Sequence, residues 1–172
     1  MPTVPTAAAA IGVRPEQILK SLVFEDRRGV RVVAIARGTG RIDRRRLALA
    51  TGLDRPVPAD PAVVLDVTGY PAGGVPPIGH RFLLPVIMDV RVAELDVAYG
   101  GAGTEDALLR ISPSTIRVVT NAVVADIVGD STTVSVNVEE ARAPNVASSS
   151  IPGQVVANTS ILSSDLVRTR PG

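Results

Sequence analysis

The sequence predicts a single domain of the α/β or α+β class. Three observations lead there. Its 172 residues suit one hydrophobic core. Its composition, 45% hydrophobic and 20% charged, is that of a globular chain. Between residues 6 and 128, short aliphatic runs alternate with segments that carry helix start and stop residues. With aromatic residues at 2%, the core has to be built from Val, Leu, Ile and Ala. No platform of exposed rings is then available for stacking single-stranded nucleic acid.

The elements run in chain order. Thr6-Ala-Ala-Ala-Ala-Ile-Gly12 reads as a short helix capped by Thr6 and stopped by Gly12. Pro15 opens a second helix over residues 15–22, with Ile18, Leu19 and Leu22 as its buried stripe and Lys20 off that stripe, near the helix end. Residues 22–25 and 30–37 read as two strands around the turn Asp26-Arg-Arg-Gly29. The second contains the nearly unbroken apolar run 32–36, which predicts burial on both faces. Asp43 caps a helix over 44–51 that ends at Gly52. Pro56, Pro58 and Pro61 mark an extended loop, and residues 62–67 read as a strand. A Gly/Pro-rich segment covers 69–79, and strands are expected at 82–89, 96–99 and 107–111. Ser112-Pro113 opens a helix through about residue 120, by a serine cap and a proline in the first turn. Composition shifts near Gly129 towards Ser, Thr, Val, Asn and Pro. The predicted organisation is a domain over 1–129 and an extension over 130–172, loosely ordered apart from one strand at 132–138.

Charge and cysteine usage narrow the chemistry. Net charge is +1, whereas a protein that grips a long nucleic acid by phosphate contacts alone is far more basic. DNA binding is therefore not expected, while a brief contact with one RNA end stays open. The absence of Cys excludes disulfides, thiolate zinc sites and cysteine nucleophiles, and a single His excludes a His-rich metal site. No metal or other cofactor is expected. No apolar run reaches the ~20 residues of a membrane span, and the first residues lack a basic, then long apolar, secretory pattern. The expected compartment is the cytoplasm.

Several residues stand out. Lys20 is the only lysine among the 18 basic residues. Either it survived by chance on a helix surface, or its site needs a compact, titratable charge where a flat guanidinium fails. The densest motif is Thr68-Gly-Tyr-Pro-Ala-Gly-Gly-Val-Pro-Pro-Ile-Gly-His80. Gly73-Gly74 allows positive φ and close ligand approach, and Pro76-Pro77 stiffens the segment after it. A rigid loop with exposed N–H groups suits a carbonyl, an ester or a phosphate; an ordinary surface turn is the plainer reading. It is neither a Walker A loop nor a dinucleotide fingerprint. His80 is a general base or a structural imidazole. Asp89 lies at a site mouth or caps a helix over 91–95. The 100–103 glycine turn either lines a site or simply connects strands. Arg41, Arg44, Arg45 and Arg46 contact RNA phosphate or form a solvated helix face.

Taken in order, Thr6-Ala-Ala-Ala-Ala-Ile-Gly-Val, Glu16-Gln-Ile-Leu-Lys-Ser-Leu-Val-Phe24, Arg37-Gly38, the motif from Thr68 to Gly79, and Ile87-Met-Asp89 resemble the YbaK/ProX family, which also supplies the editing insertion of bacterial prolyl-tRNA synthetases. The resemblance runs over about residues 6–128. It implies an α/β domain with a mixed, strongly curved, barrel-like sheet surrounded by helices. It implies hydrolysis, in trans, of the ester between a small amino acid and a tRNA 3′-end, with tRNA-Pro as the expected tRNA. Carried over by position, Lys20 matches the family's characteristic lysine. Gly73, Gly74, Val75, Pro76, Gly79 and the neighbouring His80 match its substrate-holding loop, and Asp89 and Gly101 match further pocket positions. The implied partners are the aminoacyl-tRNA 3′-end and prolyl-tRNA synthetase, with a homodimer contact through residues 130–172 as a further candidate. Family members begin some twenty residues earlier with a strand and loop that wall the pocket, so one wall is expected to be absent or rebuilt here. The alternative implied reading is a non-catalytic module that binds tRNA ends or a synthetase.

Overall fold

The computed structural model describes residues 3–104 and 107–129. The expected 130–172 extension and its strand lie outside the described residues. The chain starts on helix α1 (Val4–Ile11), capped by Thr3 with Pro5 in the first turn and closed by Gly12 in the left-handed conformation. The cap therefore stands three residues earlier than Thr6 suggests. A single 3-10 turn, Pro15–Gln17, comes next. The chain then becomes strand β1 (Leu19–Glu25), so the helix expected over 15–22 stops after one turn and Lys20 lies on a strand. The burial pattern explains the correction: Leu19, Ser21 and Val23 are buried at a spacing of two, the period of a pleated strand.

Strand β2 (Arg31–Arg37) pairs antiparallel with β1 across the 26–29 turn, from Leu19↔Arg37 to Glu25↔Arg31. Its residues Val32, Val33, Ala34, Ile35 and Ala36 are all buried, as a strand with core on both faces requires. Short strand β3 (Arg41–Ile42) precedes helix α2 (Arg44–Thr51), which Asp43 caps and Gly52 ends as expected. After strand β4 (Val57–Pro58) comes helix α3 (Pro61–Thr68), where the β-branched run 62–67 reads as a strand by composition. The helix wins through its ends: the Asp60 carboxylate accepts from the Ala62 N–H, Pro61 occupies the first turn, and Gly69 closes it at φ 81°. Strand β5 (Val86–Asp89) is shorter than the expected 82–89 strand, and residues 80–85 are loop. Helix α4 (Val90–Ala93), strands β6 (Ala98–Gly101) and β7 (Leu108–Ile111), helix α5 (Pro113–Thr120), and strands β8 (Val123–Ala125) and β9 (Val128–Gly129) complete the described chain.

The main sheet has five strands in the order β4-β1-β2-β5-β8, parallel between β2, β5 and β8 and antiparallel elsewhere. The other pairings are two-stranded ribbons, β3-β9 and β6-β7. A mixed sheet with helices around it is thus present. The sheet ends on β4 and β8 without pairing between them, so the expectation of a strongly curved, barrel-like sheet finds no support. Hydrophobic side chains, mostly aliphatic, fill both of its faces. Val23, Val33, Ile35, Met88 and Ile116 pack on one side, and Phe24, Val32, Ala34, Leu47 and Ile127 on the other.

Candidate functional site

Strand β1 is covered along one edge by β2; its other edge meets β4 at Phe24 and Glu25 and, at its start, β6 through a parallel bridge between Ile18 and Tyr99. The uncovered stretch borders a cleft of about 150 Å³. Residues 18–22 form one side of it, Val4 and Ala7 of α1 close an end, and Gly73, Val75, Gly101, Thr104 and Leu108 face them. Register fixes which backbone groups look into it. Gly38 donates to the Ile18 carbonyl, so by antiparallel alternation residues 18, 20, 22 and 24 bond to β2, and the N–H and C=O groups of Leu19, Ser21 and Val23 point to the other edge. The Val23 carbonyl accepts there from Ala59 (2.9 Å), as that alternation requires.

The far wall is a stack of close backbone contacts. The 70–79 loop folds on itself through Gly74 N–H to Pro71 O (2.9 Å), and the 100–103 turn is tied to it by Gly103 N–H to Gly74 O (3.0 Å). A Cβ on Gly101 would stand 2.8 Å from the Gly74 oxygen, so only glycine lets β6 approach this closely. Gly73 has φ 93°, which the glycine pair makes expected; Gly74 has no positive φ, and a Cβ there would meet only ordinary contacts at 3.5 Å and beyond. Among the described residues, Gly74 uses its N–H within the loop, while the N–H groups of Gly73 and Val75 have no protein acceptor.

Lys20 is half-buried in the cleft wall. Its ammonium donates to the carbonyls of Gly40 and Gly38 (3.5 Å), which tie it to the turn after β2. Loss of hydration lowers its pKa from the usual lysine value, and the positive charge of Arg41 lowers it further. Lys20, Gly73, Val75 and Gly101, singled out separately in the sequence, thus border one space. The remaining candidates do not line it. Gly74 and Pro76 are buried within the loop, and Gly79 is exposed at φ 80°. His80 Nε2 is hydrogen-bonded to the Pro76 carbonyl (2.8 Å), which staples the loop. Asp89 is fully buried, and of its two readings the cap is observed. It accepts from the backbone N–H groups of Arg91 (3.0 Å), Ile127 (3.1 Å) and Val128 (3.2 Å).

Two features of the cleft escape sequence reasoning. Gly38 and Gly40 supply the carbonyl seat of Lys20, and a Cβ on Gly38 would fall 2.5 Å from Val4 of α1. Ser21 lines the cleft, is 6% exposed, and its hydroxyl has no hydrogen-bond partner among the described residues. A serine beside the lone lysine is the available signal, but a helical reading of 15–22 hides its place on a strand.

The family model described as an aminoacyl-tRNA editing domain matches residues 1–118. The chain belongs to that family. Editing of an aminoacyl-tRNA is the hydrolysis of its ester, so this editing domain is a hydrolase of that bond. Its relatives agree with the assignment. It is 26% identical over 122 residues to a candidate Cys-tRNA(Pro)/Cys-tRNA(Cys) deacylase of Enterococcus faecalis, covering 71% of this chain and 74% of the relative. It is 31% identical over 112 residues to a proline–tRNA ligase of Desulforamulus reducens, covering 64% of this chain and 19% of the ligase. A solved structure, described as a candidate trans-editing enzyme for prolyl tRNA synthetase, superposes with a TM-score of 0.69 at 34% identity, over 74% of this chain and 80% of that chain.

Proposed function

We propose that this editing domain acts in trans on tRNA-Pro mischarged with a small amino acid, and that the cleft along β1 is where the ester is held. What supports this reading is the convergence of Lys20, Gly73, Val75 and Gly101 on one small cavity of an aminoacyl-tRNA editing fold. The names of the relatives supply the proline tRNA and a small thiol-bearing amino acid as precedents. The domain proper is residues 1–129, and its partners in this reading are the aminoacylated 3′-end and prolyl-tRNA synthetase, in the cytoplasm where charged tRNA is used.

An aminoacyl ester is already activated, so the site has to orient a water and stabilise the oxyanion. Water oxygen bonds to the ester carbonyl carbon, the bond from that carbon to the ribose oxygen breaks, and the ribose oxygen takes up the proton that water gives up. The N–H groups of Gly73 and Val75, which have no acceptor among the described residues, are suited to the developing oxyanion, and one such donor is worth about 3–4 kcal/mol in the transition state. Lys20 supplies positive charge at the ester or the terminal phosphate. The neighbouring ribose hydroxyl relays the proton, which fits a cleft with no Ser-His-Asp set among the described residues that line it. Selectivity rests on size, because a single methylene discriminates by only about 1–3 kcal/mol and a synthetase alone leaves errors to clear.

The test is single-turnover deacylation of tRNA-Pro carrying Ala, Cys or Pro, beside other tRNAs carrying the same amino acids. Hydrolysis of a small mischarged amino acid, with correctly charged Pro-tRNA-Pro spared, is the expected outcome. Full retention of every ester overturns the catalytic reading, and equal rates on all tRNAs overturn the choice of tRNA-Pro.

A further inference from the structure

A second concavity, of about 650 Å³, lies at the other end of β1. Glu25, Asp26, Arg27, Arg44, Arg45 and Arg55 supply its polar rim, and Ala48, Pro56 and Val57 give it an apolar floor. Both carboxylates are already engaged. Glu25 pairs with Arg31, and Asp26 pairs with Arg28 (2.8 Å) while accepting from the N–H groups of Arg28, Val30 and Asp54. The four rim arginines are exposed and have no ion-pair partner among the described residues.

Three of these arginines stand where local energetics disfavour them. Arg44 and Arg45 open α2, whose first turn holds no acidic residue, and a cation at a helix N-terminus opposes the helix dipole. Arg46 in the same turn is compensated by Asp126, and the capping Asp43 carboxylate offsets part of the charge of Arg45, whereas Arg44 forms no ion pair among the described residues. Arg55 adopts φ 51°, a left-handed conformation that non-glycine residues rarely take. Separate local costs therefore converge on one positive hollow.

We infer that this hollow is a phosphate-backbone subsite for the RNA of the substrate, distinct from the cleft that holds the ester. The inference rests on the deacylase reading above. Guanidiniums match phosphate geometry and also stack on bases, and the apolar floor suits a sugar or base face better than it suits a free anion. The hollow begins at Glu25, five residues along β1 from Lys20, or about 17 Å at strand rise. A few nucleotides of the 3′-end span that separation, which leaves the hollow for the backbone upstream of the ester.

Binding of uncharged tRNA to the whole chain, measured from low to moderate salt, tests this without any catalytic step. The variants are Arg44→Ala/Arg45→Ala, which relieves the helix dipole, and Arg55→Gly, which suits the positive φ. Both are expected to keep or raise Tm. Each should weaken tRNA binding severalfold, and the double variant should flatten the slope of log affinity against log salt by about two. In deacylation, KM for aminoacyl-tRNA should rise with kcat nearly unchanged, while hydrolysis of a short aminoacyl-adenosine ester stays at the wild-type rate. Unchanged affinity and salt slope in both variants would overturn the inference. Wild-type protein that hydrolyses neither ester sinks the deacylase reading instead, and the binding arm still decides the subsite.

Discussion

Lys20 is held between two roles, a cation for the substrate and a clasp for its own fold. Its ammonium sits on the carbonyls of Gly38 and Gly40, so removing it leaves those groups unpaired as well as the cleft uncharged. Lys20→Ala should slow single-turnover deacylation by about a hundredfold, the scale of losing one transition-state donor. It should also cost about 1–2 kcal/mol of stability, more than a helix-surface lysine would. Lys20→Arg should fail to restore turnover, because a planar fork cannot take the place of a point charge on those carbonyls. Near-normal rates in both variants would remove Lys20 from the site. The glycines separate by geometry in the same way. Gly101→Ala forces a methyl to 2.8 Å from the Gly74 oxygen and should lower both Tm and turnover. Gly74→Ala meets nothing closer than 3.5 Å and should change stability by less than about 1 kcal/mol, with turnover retained. Comparable damage from the two would show that the wall is not packed as described. Ser21→Ala removes a buried hydroxyl that has no partner among the described residues, so it should leave stability unchanged or slightly raised. Any loss of deacylation in that variant then reports contact with substrate.

Asp89 joins three elements and illustrates what one buried carboxylate does for a fold. It ends β5, caps α4, and accepts from the N–H groups of Ile127 and of Val128, the first residue of β9. Arg91 lies beside it and also reaches Asp126. Asp89→Ala strands several buried donors at once, and each costs about 1–3 kcal/mol when left unpaired. Tm should fall by roughly 10 °C or more, with turnover per folded molecule preserved, because Asp89 does not line the cleft. Loss of turnover at full stability would place it in the site after all. At this scale, some elements are legible in the sequence and others are not. Asp43 with Gly52, and Ser112-Pro113, mark helix ends by local chemistry, and both helices stand where those residues put them. The 62–67 run misleads because Val and Leu suit either period; its burial at Val64, Val67 and Thr68 is helical, and Asp60-Pro61 before it is the deciding signal. Pro15 misleads the other way, since it starts only one 3-10 turn before the chain extends. Strands β3, β4, β8 and β9, two or three residues each, are too short to show any period. Of the site, the glycine wall and Lys20 are legible as motifs, whereas their seat at Gly38 and Gly40 depends on pairing between distant residues that no local pattern encodes.

Across the whole molecule, three aspartates hold separate parts of the chain in place, and all three have carboxyl groups shifted below the usual range. For Asp26, burial pushes the pKa up, but hydrogen bonds from Val30, Arg28 and Asp54 outweigh it and hold the group far below the ordinary value. Asp43 is lowered first by the backbone N–H of Arg46, against a smaller opposing effect of burial. Asp126 is lowered first by its hydrogen bond to Arg91, again against burial, with Arg46 adding its charge. A carboxylate whose folded pKa lies below its unfolded value of about 3.9 releases its proton more readily in the folded state. Its contribution is complete above the unfolded pKa and is lost as pH falls through the folded one. Stability measured by denaturant titration should therefore hold steady down to about pH 5 and decline steadily below pH 4. Lys20 acts at the opposite end. Its folded pKa is below the usual lysine value, so the folded state disfavours the charged form, and stability should rise as alkaline pH discharges it. Asp26→Asn should be less stable than wild type at neutral pH and show a shallower decline on acidification, since the variant has no proton to take up at that position. A wild-type stability that is flat from pH 7 to pH 3, or an Asp26→Asn curve parallel to it, would mean that these carboxylates are held no more tightly in the folded chain than in the unfolded one.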